Sequence, residues 1–225
     1  MDVGVYNAVR GCLFQQLKFN TIANNLANSA TTGFKKNLIY CDQMLQAHQK
    51  VTTNAGNMEH TGNPLDVALS GNGFFKISTP EGPQYTRNGR FHLDAAGMLV
   101  TSRGDAVIGS GGPIYIEGND ISIDKNGGIQ VDGEQVDSLS VVTFDDSVRL
   151  IKKGAYYGAD NGEMGENVGL GQNEVEQGYL EGSNVVVTEE MVRMVEALRN
   201  FESYQKVLQT FGEINRKAIN EVGRP

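Results

Sequence analysis

A mixed α and β fold follows from the sequence: long N- and C-terminal helices forming a coiled-coil-like module, flanking an antiparallel all-β, Gly-rich middle domain. Three observations carry this reading. Apolar stripes at helical spacing occur near both ends of the 225-residue chain and not between them. Most of the 28 glycines lie in the middle, where short apolar runs alternate with turn residues. Charge is segregated too. Residues 1–50 hold five Lys/Arg and two Asp/Glu (+3), residues 51–187 eight and nineteen (−11), and residues 188–225 six and six (0), which together give the net −8. The domains expected are an N-terminal axial helix over 1–34, a linker or short helix over 35–65, an antiparallel β domain over 66–182 and a C-terminal axial helix over 183–225.

In the first helix Val5, Cys12, Phe19 and Leu26 recur every seven residues, with Val9 and Ile22 beside that line. The spacing predicts an amphipathic helix with a coiled-coil-like seam. Asn24, Asn25 and Asn28 crowd its end, where their amides can bond backbone groups of neighbouring helices and set register. Gly33 is a natural stop signal, and a left-handed backbone there would turn Phe34 into a packed site. In the last helix Thr188 suits the N-cap, and Glu189 and Glu190 suit the positive end of the helix dipole. Met191, Met194, Leu198, Phe201, Leu208 and Phe211 follow at spacings of three, four or seven. A stripe without a nearby partner must bury itself, either against the other terminus or against other copies.

Residues 35–65 allow a short helix through Tyr40, Cys41, Met44, Leu45 and His48, or an extended linker. The middle contains strand-like runs at 73–77, 98–101, 106–108, 114–116, 121–123 and 139–144. Between them stand Asn88-Gly89, Gly111-Gly112, Asn126-Gly127-Gly128 and Asp132-Gly133, which reach positive φ cheaply. Residues 154–178 are polar and Gly-rich and read as a loop.

Little chemistry is signalled. His48, His60 and His92 have no metal-ligand spacing and no Cys partner. Gly71-Asn72-Gly73 precedes a strand-like run and lacks a following Gly-Lys-Ser/Thr. Asp145 and Asp146 are neighbours that a strand would point to opposite faces, so a solvated acidic edge suits them better than paired catalytic acids. Cys12 and Cys41 are too few for a disulfide framework. No catalytic residue, metal ligand, cofactor or small-molecule substrate is expected, and the absence of a basic patch with interleaved aromatics argues against nucleic acid. No secretory signal and no apolar run of membrane-spanning length is read.

Three motif groups carry a family resemblance. The first is Ile22-Ala23-Asn24-Asn25-Leu26-Ala27-Asn28 with Thr32-Gly33-Phe34-Lys35. The second is Asp66-Val67-Ala68-Leu69, Gly71-Asn72-Gly73-Phe74-Phe75, Tyr85-Thr86-Arg87-Asn88-Gly89 and Gly97-Met98-Leu99-Val100. The third is Gly178-Tyr179-Leu180-Glu181-Gly182-Ser183-Asn184-Val185 with Glu190-Met191 and Arg199-Asn200-Phe201-Glu202. In this order they resemble the bacterial flagellar basal-body rod and hook proteins, most nearly the proximal-rod member and next the distal-rod member. The resemblance implies a structural subunit that assembles with itself and with neighbouring rod subunits. It implies export through the flagellar type III apparatus without a cleaved signal peptide, and a place in the periplasm-spanning rod. The assembly interface expected comprises the stripe residues of both helices, Asn24, Asn25, Asn28, Gly33 and Phe34, together with Leu180, Ser183, Asn184 and Val185. A secreted β-rich binding module with a helical stalk is the reading from another class.

Overall fold

In the structure, a computed structural model, residues 3–41, 46–144, 148, 150–159, 166–167 and 174–222 are described. Two helices, α1 (Val3–Ala27) and α2 (Val187–Val222), flank an antiparallel β middle. The chain divides into two compact units. One comprises Met1–Ala27, Asn37–Gln49 and Val186–Pro225; the other comprises Asn28–Lys36 and Lys50–Val185. No described helix is long and apolar enough to cross a membrane.

The first unit is dominated by the two helices, which run antiparallel. Gly4 meets Phe211 and Gly11 meets Tyr204, so seven residues forward on α1 is seven back on α2; Asn25 then meets Glu190, fourteen further along both. α1 ends at Ala27, earlier than the expected boundary at 34. The Thr31 N–H donates to the Asn28 carbonyl at 3.1 Å and the Thr31 hydroxyl donates to Asn28 Oδ1 at 3.2 Å. These local bonds offer the backbone a turn in place of another helical one. At the other end α2 starts before Thr188, with the Glu190 N–H bonded to the Val186 carbonyl, so Thr188 lies inside the first turn and is not the cap. Glu189 and Glu190 do occupy that first turn.

In the second unit the described residues form a nine-stranded antiparallel sheet. Its main path runs Leu150–Lys153, Tyr156–Ala159, Gly82–Thr86, Phe74–Thr79, Ala106–Val107, Leu99–Thr101 and Phe91–Leu93. Val141–Thr143 joins it by pairing with Phe74–Thr79, and Glu166–Asn167 pairs in turn with Val141–Thr143. A three-stranded sheet follows from Ile121–Ile123, Gly128–Val131 and Glu134–Ser138. Two further pairs, Val67–Ser70 with Glu174–Gln177 and Met58–His60 with Tyr179–Glu181, tie early strands to late ones. The larger core gathers Leu69, Phe75, Ile77, Leu99, Val107, Ile114 and Ile129. A smaller one packs Val51, Phe74, Tyr85, Val142, Leu150 and Tyr157. The Asp132-Gly133 turn behaves as its composition predicts, with φ of 52° and 90°.

Three local expectations are corrected. Residues 35–65, open to a short helix or an extended linker, hold strands Asn37–Cys41, Ala47–Val51 and Met58–His60 among the described residues. Tyr40 and His48 stack across the first two at 5.6 Å, a contact between paired strands that propensity alone does not reveal. Met44 and Leu45 lie outside the described residues, as do Asp145 and Asp146. Within 154–178, Tyr156–Ala159 is a fully buried strand and Glu174–Gln177 a strand that buries Val175, because aromatic residues and register with existing strands override the glycine content. Ile114 and Ile116 are buried, but 114–116 makes only an isolated bridge at Tyr115, to Met98.

Candidate assembly surface and the motif junction

The antiparallel register defines a seam on each helix. On α2 the residues turned inward are Glu190, Met194, Ala197, Phe201, Tyr204, Leu208 and Phe211, spaced alternately by four and three. That spacing is the one two-helix packing requires. On α1 the facing residues are small or polar at Gly4, Ala8, Gly11, Gln15 and Asn25, and aliphatic at Ile22. A Cβ on Gly11 would stand 2.5 Å from the Tyr204 ring, and one on Gly4 2.8 Å from Phe211. The two glycines therefore let large aromatic side chains of α2 lie against the backbone of α1. The seam ends on a polar clamp. Asn25 Nδ2 donates to Glu190 Oε2 and to the Asn37 carbonyl, both at 2.9 Å, while Asn25 Oδ1 accepts from the Asn37 N–H at 2.9 Å. Midway, Gln15 is 8% exposed, and its Oε1 has no hydrogen-bond partner among the described residues.

The expected stripe residues therefore separate into classes. Ile22, Asn25, Met194, Phe201, Leu208 and Phe211 lie on the seam. Val5, Cys12, Phe19 and Leu26 stand one position beyond it and are half-buried. Val9 and Asn24 are exposed, as are Met191 and Leu198. Apolar side chains that face solvent continue this outer surface. α1 presents Tyr6 (53%), Leu13 (55%) and Leu17; α2 presents Met191 (55%), Val192 (60%), Val195 and Leu198. The seven-residue repeat of Gly4 and Gly11 against Phe211 and Tyr204 is the sequence signal that would have located the true seam.

The remaining expected residues belong to the β unit, where all three motif groups converge. Gly33 has φ of 67° and its backbone lies directly against Arg87 and Asn88, so a side chain has neither the conformation nor the room. The Gly33 N–H donates to the Glu181 carbonyl at 2.7 Å. Phe34 is buried beneath Lys152, whose Nζ sits 4.5 Å from the ring centroid. Asn184 Oδ1 accepts the Lys36 N–H at 2.7 Å, and Asn184 Nδ2 donates to Thr52 Oγ1 and to the Asn54 carbonyl. Ser183 Oγ accepts the Val185 N–H at 3.3 Å; Leu180 and Val185 are buried. Asn28 forms the turn already described. Asn25 and Asn184 thus use their amides inside one chain.

At the centre lie Lys35, Arg87 and Glu181, all fully buried. Lys35 Nζ donates to Glu181 Oε1 at 2.7 Å and to the Asn54 carbonyl at 2.6 Å. The Gly56 N–H donates to the same carboxylate oxygen at 2.7 Å, while Arg87 Nε lies 3.3 Å from Oε2. Arg87 also donates to the carbonyls of Leu69 and Gly71 and rests over the Phe74 ring. Two cations share one carboxylate. Burial, then the Arg87 charge, lowers Lys35 to about 8 against the pull of Glu181. Burial also lowers Arg87. Tyr157, whose hydroxyl accepts the Lys35 N–H at 2.9 Å, is pushed up to about 12, chiefly by burial. This cluster is a structural knot, and sequence reasoning did not single out its three charged residues.

Comparison with known proteins follows the same three regions. Residues 6–35 match the flagella basal body rod protein family, residues 68–131 the flagellar hook protein FlgE/F/G D1 domain, and residues 176–221 the flagellar basal body rod FlgEFG protein C-terminal family. The flagellar basal-body rod protein FlgF of Rhizobium meliloti (strain 1021) is 31% identical over 241 residues, covering 99% of both chains. FlgG of Bacillus subtilis (strain 168) is 30% identical over 257 residues, covering 96% of this chain and 97% of its own. FlgF of Caulobacter vibrioides is 29% identical over 249 residues, covering all of this chain and 99% of its own. With motifs, folded junction and full-length similarity in agreement, the chain belongs to the flagellar basal-body rod protein family.

Proposed function

We propose that this chain is a structural subunit of the flagellar basal-body rod, that it polymerises through its terminal helices, and that it helps transmit torque from motor to hook. One observation carries the reading: both helices keep a large apolar surface, from Tyr6 to Leu17 and from Met191 to Leu198, outside the seam they share. Each such Val, Leu or Met side chain gains about 1.5–3 kcal/mol on full burial. Neighbouring subunits supply that burial, and the heptad spacing of the seam supports a coiled-coil-like module as the repeating part. The interface then includes Val9, Leu198 and Met191 as direct contacts, with Val5, Cys12, Phe19 and Leu26 at its margin. Ile22, Met194, Phe201, Leu208 and Phe211 act by holding the two helices together. Gly33, Phe34, Leu180, Ser183, Asn184 and Val185 act by shaping the β unit. No catalysis enters this reading.

The subtype we favour is the proximal-rod one, on the short length and on the resemblance to that member of Asn63-Pro64-Leu65-Asp66-Val67-Ala68-Leu69, Ile108-Gly109-Ser110-Gly111-Gly112-Pro113-Ile114 and Leu180-Glu181-Gly182-Ser183-Asn184-Val185. A distal-rod or hook-type position is the second reading, favoured by the near-equal identity to proteins named FlgG. Export without a cleaved signal peptide, through the type III apparatus, completes the proposal. The test is deletion of the gene followed by immunogold labelling of isolated basal bodies from a complemented strain. Loss of motility with label on the rod is expected, and its height along the rod separates the subtypes. A motile deletion strain would overturn the proposal.

A further inference from the structure

The β unit contains a cavity of about 270 Å³ lined by residues from four of its segments, within 28–34, 86–90, 101–103 and 152–157. Its charged lining is entirely cationic: Arg90, Arg103 and Lys152. Ser102 and the hydroxyls of Thr31 and Tyr156 also line it, those of Thr31 and Tyr156 already donating, to Asn28 Oδ1 at 3.2 Å and to Asp105 Oδ2, outside the lining, at 2.6 Å. None of the described residues that line it carries a carboxylate. Arg90, Arg103 and Lys152 have no carboxylate at ion-pair distance among the described residues; Lys152 leans on Phe34, and burial lowers its affinity for a proton. This is unusual in a chain of net −8, where nineteen basic residues stand among twenty-seven acidic ones. A concave site with three converging cations binds an anion.

The same unit has a surface of complementary chemistry. At one end of the three-stranded sheet, the loop 117–120 meets the 132–133 turn. The Asp132 N–H donates to the Asp120 carbonyl, and Asp132 Oδ1 accepts the Asp120 N–H at 3.1 Å. These two segments and the strand start beside them present Glu117, Asp120, Asp132 and Glu134, all exposed, with no Lys or Arg among residues 117–120 and 131–135. From the cavity and this acidic end we infer that the Arg90–Arg103–Lys152 pocket receives the acidic end, Glu117 to Glu134, of a second copy of the chain. Such a contact joins two different surfaces of identical subunits. It is heterologous, and it generates a ring or a helix, not a closed pair. Carboxylate to guanidinium pairing supplies direction and register, while the apolar helix faces supply most of the affinity.

The inference rests on the rod-subunit reading and is tested in the same strain. Three full-length variants are compared with the unmodified chain as the sole copy: Arg103→Glu/Lys152→Glu, Glu117→Lys/Glu134→Lys, and all four changes together. Glu117 and Glu134 take part in none of the turn hydrogen bonds, so their exchange leaves the sheet folded; circular dichroism of each purified variant checks this. The readout is the amount of the chain retained in isolated basal bodies. Each reversed pair sets like charges against each other at every junction, so a loss of at least about tenfold is expected for both two-site variants. The fourfold exchange restores opposite charges with the signs reversed, and recovery to within about twofold of the unmodified chain is expected. Loss in the pocket variant alone, with the acidic variant unaffected, would overturn the inference in favour of another anionic occupant. Absence of recovery in the fourfold variant, or retention in all variants, would also overturn it. If the unmodified chain is itself missing from basal bodies, the rod-subunit reading is what fails.

Discussion

Lys35 Nζ lies 2.7 Å from Glu181 Oε1, joining positions 146 residues apart inside a site that water does not reach. Arg87 approaches the other oxygen of the same carboxylate. Desolvating three charges is costly, and only mutual pairing offsets it. Removing the shared anion is therefore the most damaging change available at the junction. Glu181→Gln should destabilise the β unit by about 3–5 kcal/mol, since it leaves two buried cations facing each other. Urea denaturation followed by tyrosine fluorescence measures this, and a loss below about 1 kcal/mol would show the cluster to be dispensable.

The same cluster predicts a pH dependence. Lys35 is held at about 8 in the folded state, against 10.5 ordinarily. Between those values the unfolded chain binds the proton and the folded chain does not, so stability rises with pH across that window. Tyr157 acts in the opposite sense, because its folded value of about 12 makes stability fall above its ordinary value of 10.0. The gain should therefore show between about pH 8 and pH 10. In Lys35→Gln the rising limb should shrink, leaving the contribution of Lys152, whose proton affinity burial also lowers. Equal slopes in the two proteins would mean that Lys35 does not lose its proton on folding.

Two neighbours on α2 should behave differently. Phe201 lies on the seam and Leu198 on the outer surface. Phe201→Asp places a charge between the helices, at a cost on the order of several kcal/mol, and should remove helical signal from the free chain. Leu198→Asp should leave the free chain within about 0.5 kcal/mol of the original. If that surface is the proposed subunit interface, it should still abolish motility, because the aspartate would enter it. Circular dichroism and a swarming assay distinguish the two. A motile Leu198→Asp strain would take the outer face of α2 out of the interface.

Gln15 offers a gain instead of a loss. Its buried Oε1 lacks a donor among the described residues, and an orphaned buried acceptor costs about 1–3 kcal/mol. Gln15→Leu should stabilise the helix pair by a similar amount, read as a higher midpoint of the helical transition at 222 nm. An unchanged or lower midpoint would mean that the amide is satisfied, or that its shape fits the seam better than leucine does.

The sequence alone determined the types of the main elements, the terminal helices and the antiparallel strands between them, because periodicity and turn chemistry are local properties; the strands within 35–65 and 154–178 left no such trace. Stripes at spacings of three and four specified two terminal helices, and short runs punctuated by residues such as Asp132-Gly133 specified antiparallel strands between them. Its motifs also identified the family. Tertiary structure decided which residues of a stripe face the partner. Val5 and Cys12 form as regular a heptad line as Gly4 and Gly11, but only glycine admits Tyr204 and Phe211 at contact distance. It also decided that Lys35, Arg87 and Glu181 form one cluster: charge pairing across 146 residues leaves no periodic trace, and a buried lysine reads like an exposed one until the chain has closed around it.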